Sequence, residues 1–149
     1  MNFDIRICNL EAMTLAFLYG SDEAQTNALL EEFLLDNNIV TARRFRMEMA
    51  VTQKGVKYVT YIKYAQIPEG TSKTKTVSVV SLPSAEYLYF QMSEAQYAKF
   101  NDNDGKADIT DFMTENKLAY DMSKVFALVE EGINENGKFF DVYFPFKRK

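Results

Sequence analysis

The sequence has no histidine, no tryptophan and a single cysteine, Cys8, among 149 residues. Without imidazole there is no Ser-His-Asp triad, no Cys-His pair and no histidine metal site. One cysteine builds neither an intramolecular disulfide nor a thiolate zinc site. The default setting of such a chain is the cytoplasm, and Cys8 reads as a small buried hydrophobe. Three prolines and six glycines are too few for a fibrous repeat or for extended disorder. There is no apolar run of the ~18 residues that a membrane span needs. The opening Met1-Asn2-Phe3-Asp4-Ile5-Arg6 lacks the basic and apolar regions of a secretory signal. What is present is 47% apolar and 26% charged, at a length suited to one globular domain. The chemistry open to it is that of carboxylate, lysine, tyrosine or serine, or none, and neither a cofactor nor a metal is expected.

The net charge of −4 is unevenly spread. Residues 1–42 hold seven acids and one base, residues 43–75 eight bases and two acids, and residues 76–146 twelve acids and five bases. The basic middle reads as a solvated strand pair. Arg43, Arg44 and Arg46 lead into no helix that would read a groove, and overall acidity opposes attraction to phosphate, so no direct nucleic-acid contact is expected.

The order of elements is stated twice. Phe3, Ile5 and Ile7 alternate with Asp4, Arg6 and Cys8, the period of a half-buried strand. A break at Asn9-Leu10-Glu11 precedes a second apolar stretch, Met13 to Tyr19. Ser21 or Asp22 then caps a helix with Leu29, Leu30, Phe33 and Leu34 on one side, and Asp36-Asn37-Asn38 stops it. Phe45, Met47, Met49 and Val51 alternate with Arg44, Arg46, Glu48 and Ala50. Lys54-Gly55 reads as a tight turn into a strand from Val56 to Ile67. After the polar stretch 68–76 come strands at Val77–Val80 and Tyr87–Met92. A short turn follows, with Ser93 and Gln96 as capping box, and then a helix capped at Asp108 or Thr110 that carries Ile109, Phe112 and Met113. A strand over Val125–Val129, a turn at Asn136-Gly137 and a strand over Phe139–Phe146 complete the chain. The repeats span 3–67 and 77–146. A module of this size is marginal alone. The expected fold is therefore α+β: duplicated strand-(strand)-helix-strand-strand modules with pseudo-twofold symmetry, antiparallel sheets, two main helices and a central groove, in one domain over 1–149.

Leu82-Pro83-Ser84-Ala85-Glu86-Tyr87, opening the second half, and Phe140-Asp141-Val142-Tyr143-Phe144-Pro145-Phe146, closing it, resemble segments of the GyrI-like effector-binding family, also described as the bacterial transcription-activator effector-binding domain. The resemblance covers nearly the whole chain. It implies a groove between the repeats that takes small, often aromatic or cationic molecules. Members fused to helix-turn-helix modules serve in AraC- or MerR-type regulators; this chain has no room for such a module and would be a stand-alone member. Where the family often carries a pocket glutamate, this chain has Phe126-Ala127-Leu128, and the tryptophan common in the hydrolytic branch is absent.

The candidate ligand-binding residues are Glu48, Tyr58, Tyr87, Tyr89, Phe126, Asp141 and Tyr143. Glu48 lies opposite the Phe45-Met47-Met49-Val51 face and so should point away from a helix-packed core, where its carboxylate would anchor an amine; the alternative is a strand pair with Lys57 or Lys63. The aromatic residues offer faces to planar and cationic ligands, against ordinary cross-strand packing as the alternative. Asp141 stands on the cleft face or rim, unless it is a surface acid beside Lys138 or Lys124. No catalytic residue stands out. Asn101-Asp102-Asn103-Asp104-Gly105 fails as a calcium loop, because the register would put Phe100 at the first ligand and Asp111 at the twelfth. The expectation is a non-catalytic binding protein for an aromatic or cationic ligand, used for sensing or sequestration. A protein-interaction module of the gyrase-inhibitor type is the second reading, and a small-molecule hydrolase the third.

Overall fold

The computed structural model describes residues 4–40, 42–100, 103–121 and 127–149. Among them are nine strands and three helices: β1 (Arg6–Leu10), β2 (Met13–Gly20), α1 (Glu23–Asp36), β3 (Arg44–Gln53), β4 (Val56–Ile67), β5 (Ser78–Leu82), β6 (Ala85–Ser93), α2 (Glu94–Ala98), α3 (Asn103–Glu115), β7 (Leu118–Tyr120), β8 (Leu128–Asn134) and β9 (Gly137–Arg148). The strand pairs within each compact unit are antiparallel, giving the α+β class expected. None of the described helices is long and apolar enough to cross a membrane.

The chain divides into two compact units, one of Glu11–Ser84 and one combining β1 with Ala85–Lys149. These are not the contiguous stretches 3–67 and 77–146. β1 pairs with β6, Leu10 facing Ala85, while β5 pairs with β2, Leu82 facing Met13. Each stretch thus gives its first strand to the other's sheet. Alternation fixes that a segment is a strand and which residues share a face, but it carries no information about which strand lies alongside.

In the Glu11–Ser84 unit the sheet runs β3-β4-β2-β5. Asp22 caps α1 by accepting from the Gln25 N–H at 3.0 Å. A Cβ on Gly20 would fall 2.6 Å from Thr26 Oγ1, so glycine lets the first helical turn approach β2. Leu30, Phe33 and Leu34 pack onto Ala16, Leu18, Ala65, Ile67 and Val77. The small residues Ala16 and Ala65, paired across β2 and β4, leave room for the helix. This is the sheet face of Arg46, Glu48 and Lys63, whereas the alternation along β3 predicts the helix on the Phe45 face. Lys54 and Gly55, at φ 49° and 78°, form the two-residue turn closed by Gln53 and Val56.

In the other unit β6 lies between β1 and β9, and β9 pairs with β8 through Gly137–Tyr143 and with β7 through Phe146–Arg148. The three-residue strand β7 is too short to show an alternation in the sequence. α3 begins at Asn103 rather than at Asp108 or Thr110, so the 103–105 part of the acidic loop is helical, and residues 101–102 lie outside the described residues. Leu88, Phe90, Met92, Phe140 and Val142 form the buried helix-facing side of the sheet, where Tyr97 of α2 stacks on Phe140 at 4.0 Å. α1 and α3 stop in the same way. Asn37 and Asn116 donate to the Phe33 and Phe112 carbonyls at 2.9 and 2.8 Å, and the next residues, Asn38 and Lys117, both take φ 56°.

The expected capping box of α2 is present: Ser93 Oγ accepts from the Gln96 N–H at 3.2 Å, and Gln96 Oε1 accepts from the Ser93 N–H at 2.9 Å. Ser93→Ala removes one half of it and should cost about 1 kcal/mol, read as a lowered urea midpoint with unchanged slope.

Candidate functional site

Directly opposed residues of an antiparallel pair point to the same side of the sheet. The register of β1, β6, β9 and β8 therefore places Cys8, Tyr87, Tyr89, Gln91, Phe139, Asp141, Tyr143 and Pro145, with Leu128 and Glu130, on the side opposite Phe90 and Phe140. Four of the seven candidate residues, Tyr87, Tyr89, Asp141 and Tyr143, meet on this one surface.

Its centre is Asp141. Tyr89 Oη donates to Asp141 Oδ1 at 2.6 Å, and Gln91 Nε2 donates to the same oxygen at 3.1 Å. The Tyr89 and Tyr143 rings lie 5.4 Å apart at an interplanar angle of 39°. Asp141 and Tyr89 are half-buried, and Tyr87 and Tyr143 are buried. The carboxylate is thus held at the edge of the ring pair by two neutral donors, the Tyr89 hydroxyl and the Gln91 amide, rather than by a guanidinium. Arg6, opposite Tyr89 on the same surface, is engaged by Asp4 at 2.7 Å. Gln91 and Glu130 flank Asp141 on the two neighbouring strands, a placement that only the register reveals. The Asn136-Gly137 signal located the hairpin but not its register: Asn134 pairs with Gly137, which is what sets Glu130 opposite Asp141.

Burial, and then the bond to Asp141, raise the Tyr89 hydroxyl well above the ordinary tyrosine value. Because folding binds this proton more tightly, the contribution to stability is complete below about pH 10 and is lost as the pH rises beyond it. An absorbance titration should therefore count as many tyrosines ionising near the ordinary value in Tyr89→Phe as in the parent. One fewer in the variant would mean that the Tyr89–Asp141 bond does not hold. Burial likewise raises Tyr87 and Tyr120, with Asp121 adding to both.

Glu48 is elsewhere. It lies on the α1 side of its sheet, not away from the helix, and pairs with Arg46. Arg46 also reaches Glu23 of α1 at 3.5 Å, and Lys63 donates to Glu23 at 2.8 Å. The Lys63 bond outweighs burial and lowers the Glu23 pKa. Glu48 is one of four charges clustered beside the start of α1, a place that the Phe45 pattern could not reveal. Tyr58 is 56% exposed near the β3–β4 turn of the same unit. Phe126 lies outside the described residues. Among the described residues, no group of three metal-ligating side chains forms.

No family model and no curated protein matches this chain. Solved structures do. The C-terminal domain of EcmrR superposes with a TM-score of 0.66 at 6% identity, covering all of both chains. EcmrR in a DNA complex gives 0.62 at 8%, covering 99% of this chain and 58% of that one. SAV2435, solved with tetraphenylphosphonium bound, gives 0.49 at 12%, covering 99% and 94%. The chain shares the fold of the EcmrR C-terminal domain, in line with the fold that the GyrI-like resemblance implied.

Proposed function

We propose that this protein binds a small aromatic cation on the Tyr89–Asp141–Tyr143 surface, as an effector-binding domain serving to sense or sequester that ligand. The observation that carries this reading is the Asp141 carboxylate held by the Tyr89 hydroxyl at 2.6 Å beside the paired rings of Tyr89 and Tyr143. Aromatic faces attract cations through their quadrupole, and a partly desolvated carboxylate adds a full negative charge at the same spot. The base opposite Tyr89, Arg6, is spoken for by Asp4. The likeness in fold to the EcmrR domain is compatible with the reading and does not choose the ligand.

Two probes of similar shape and opposite charge test it. Tetraphenylphosphonium should raise the melting temperature and bind measurably by calorimetry, and tetraphenylborate should not. Equal binding of both ions, or of neither, would rule the proposal out.

A further inference from the structure

Phe139 stands two residues before Asp141 on the same side of β9, opposite Gly132 of β8. A Cβ built on Gly132 would fall 2.2 Å from Phe139 Cζ, with Cε2 and Cε1 at 2.7 and 2.8 Å. The tip of the ring therefore occupies the space that any other residue at 132 would need. Phe139 is half-buried, and among the described residues its ring has no aromatic partner, unlike those of Tyr89, Tyr97 and Tyr143. Successive same-side residues on a strand are roughly 7 Å apart. Phe139 and Tyr143 are thus the same-side neighbours of Asp141 along β9, the Phe139 ring leaning over β8 at Gly132 and the Asp141 carboxylate bonded on the β6 side.

We infer that Phe139 is the third ring of the Asp141 surface, that Gly132 sets its position, and that Phe139 with Tyr143 selects cations bearing several aryl groups over those bearing one. The inference rests on the ligand-binding reading above. A cation centred on Asp141 and carrying one aryl group reaches a single ring, whereas one carrying several contacts both Phe139 and Tyr143. A ring laid over a strand glycine is also a known packing device, in which case Phe139 would affect stability and not selectivity.

The test measures the affinity of tetraphenylphosphonium and of phenyltrimethylammonium for the parent, Phe139→Leu, Phe139→Tyr, Gly132→Ala and the Gly132→Ala/Phe139→Leu double variant, with the melting temperature of each ligand-free protein. Phe139→Leu should weaken tetraphenylphosphonium about fivefold or more while moving phenyltrimethylammonium less than about twofold. Phe139→Tyr should restore the parent's preference. Gly132→Ala should weaken tetraphenylphosphonium too, and should add little once Phe139 is leucine. If Gly132→Ala does not fold, the Phe139 pair decides alone. Parent-like discrimination in Phe139→Leu, with only its melting temperature lowered, overturns the role of Phe139. A full additional loss from Gly132→Ala in the leucine background overturns that of the glycine. A parent that binds neither cation instead overturns the reading on which the inference rests.

Discussion

Phe90→Ala is expected to destabilise the protein by about 3–5 kcal/mol, a large part of the ~5–15 kcal/mol that holds a domain folded. Phe90 is fully buried, pairs with Val142 across β6 and β9, and has the Phe100 ring at 6.0 Å. Its neighbours Leu88, Met92 and Val142 are at most 1% exposed. The paired backbones of β6 and β9 hold them in place, so the sheet cannot collapse into the space left behind, and lost contacts add to lost burial. Urea denaturation followed by circular dichroism should show the midpoint falling by more than 1 M, given slopes of about 1–3 kcal/mol/M. Phe90→Leu, which keeps most of the volume, should cost well under half as much. The mutation also separates fold from site, since Phe90 points to the helix side and Asp141 to the other. A Phe90→Leu protein that remains folded should keep its affinity for tetraphenylphosphonium.

The residues that announced the fold were those whose effect is local. Lys54-Gly55, Ser93 with Gln96, Asp22, and the asparagines after α1 set turns and caps through bonds made within a few residues. The surface around Asp141 was partly legible for a similar reason. Alternation along Phe140–Phe146 puts Asp141, Tyr143 and Pro145 on one side, and Tyr87 and Tyr89 repeat the pattern on β6. What stayed hidden depended on pairing. Phe45, Met47, Met49 and Val51 look like a helix-packed row, which puts Glu48 on the open side. The helix instead rests on the other side, where Ala16 and Ala65 give it space. Two alanines among bulky strand residues were the available signal, and it was weaker than four large apolar side chains. The position of Gly132 under Phe139 needed the register of the last hairpin, which one residue's shift of the turn would have changed.

Asp141→Asn should weaken binding of tetraphenylphosphonium by about 10-fold or more, the scale set by ~1.5–3 kcal/mol for interactions with a charged group. The substitution isolates charge from shape. Asparagine keeps an oxygen able to accept from the Tyr89 hydroxyl and the Gln91 amide, the two donors that now meet at Asp141 Oδ1. The aromatic surface thus survives while its negative charge is removed. Discrimination between tetraphenylphosphonium and tetraphenylborate should collapse, and calorimetry of both ions against both proteins measures this directly. Tyr89→Phe retains the ring and deletes one donor, so it should fall between the parent and Asp141→Asn. Glu48→Gln should leave both affinities as they were, because Glu48 is bound to Arg46 beside α1 and takes no part in the Asp141 surface. Loss of cation affinity in Glu48→Gln with none in Asp141→Asn would move the anchor back to β3 and leave the Tyr89–Asp141 bond a purely structural feature.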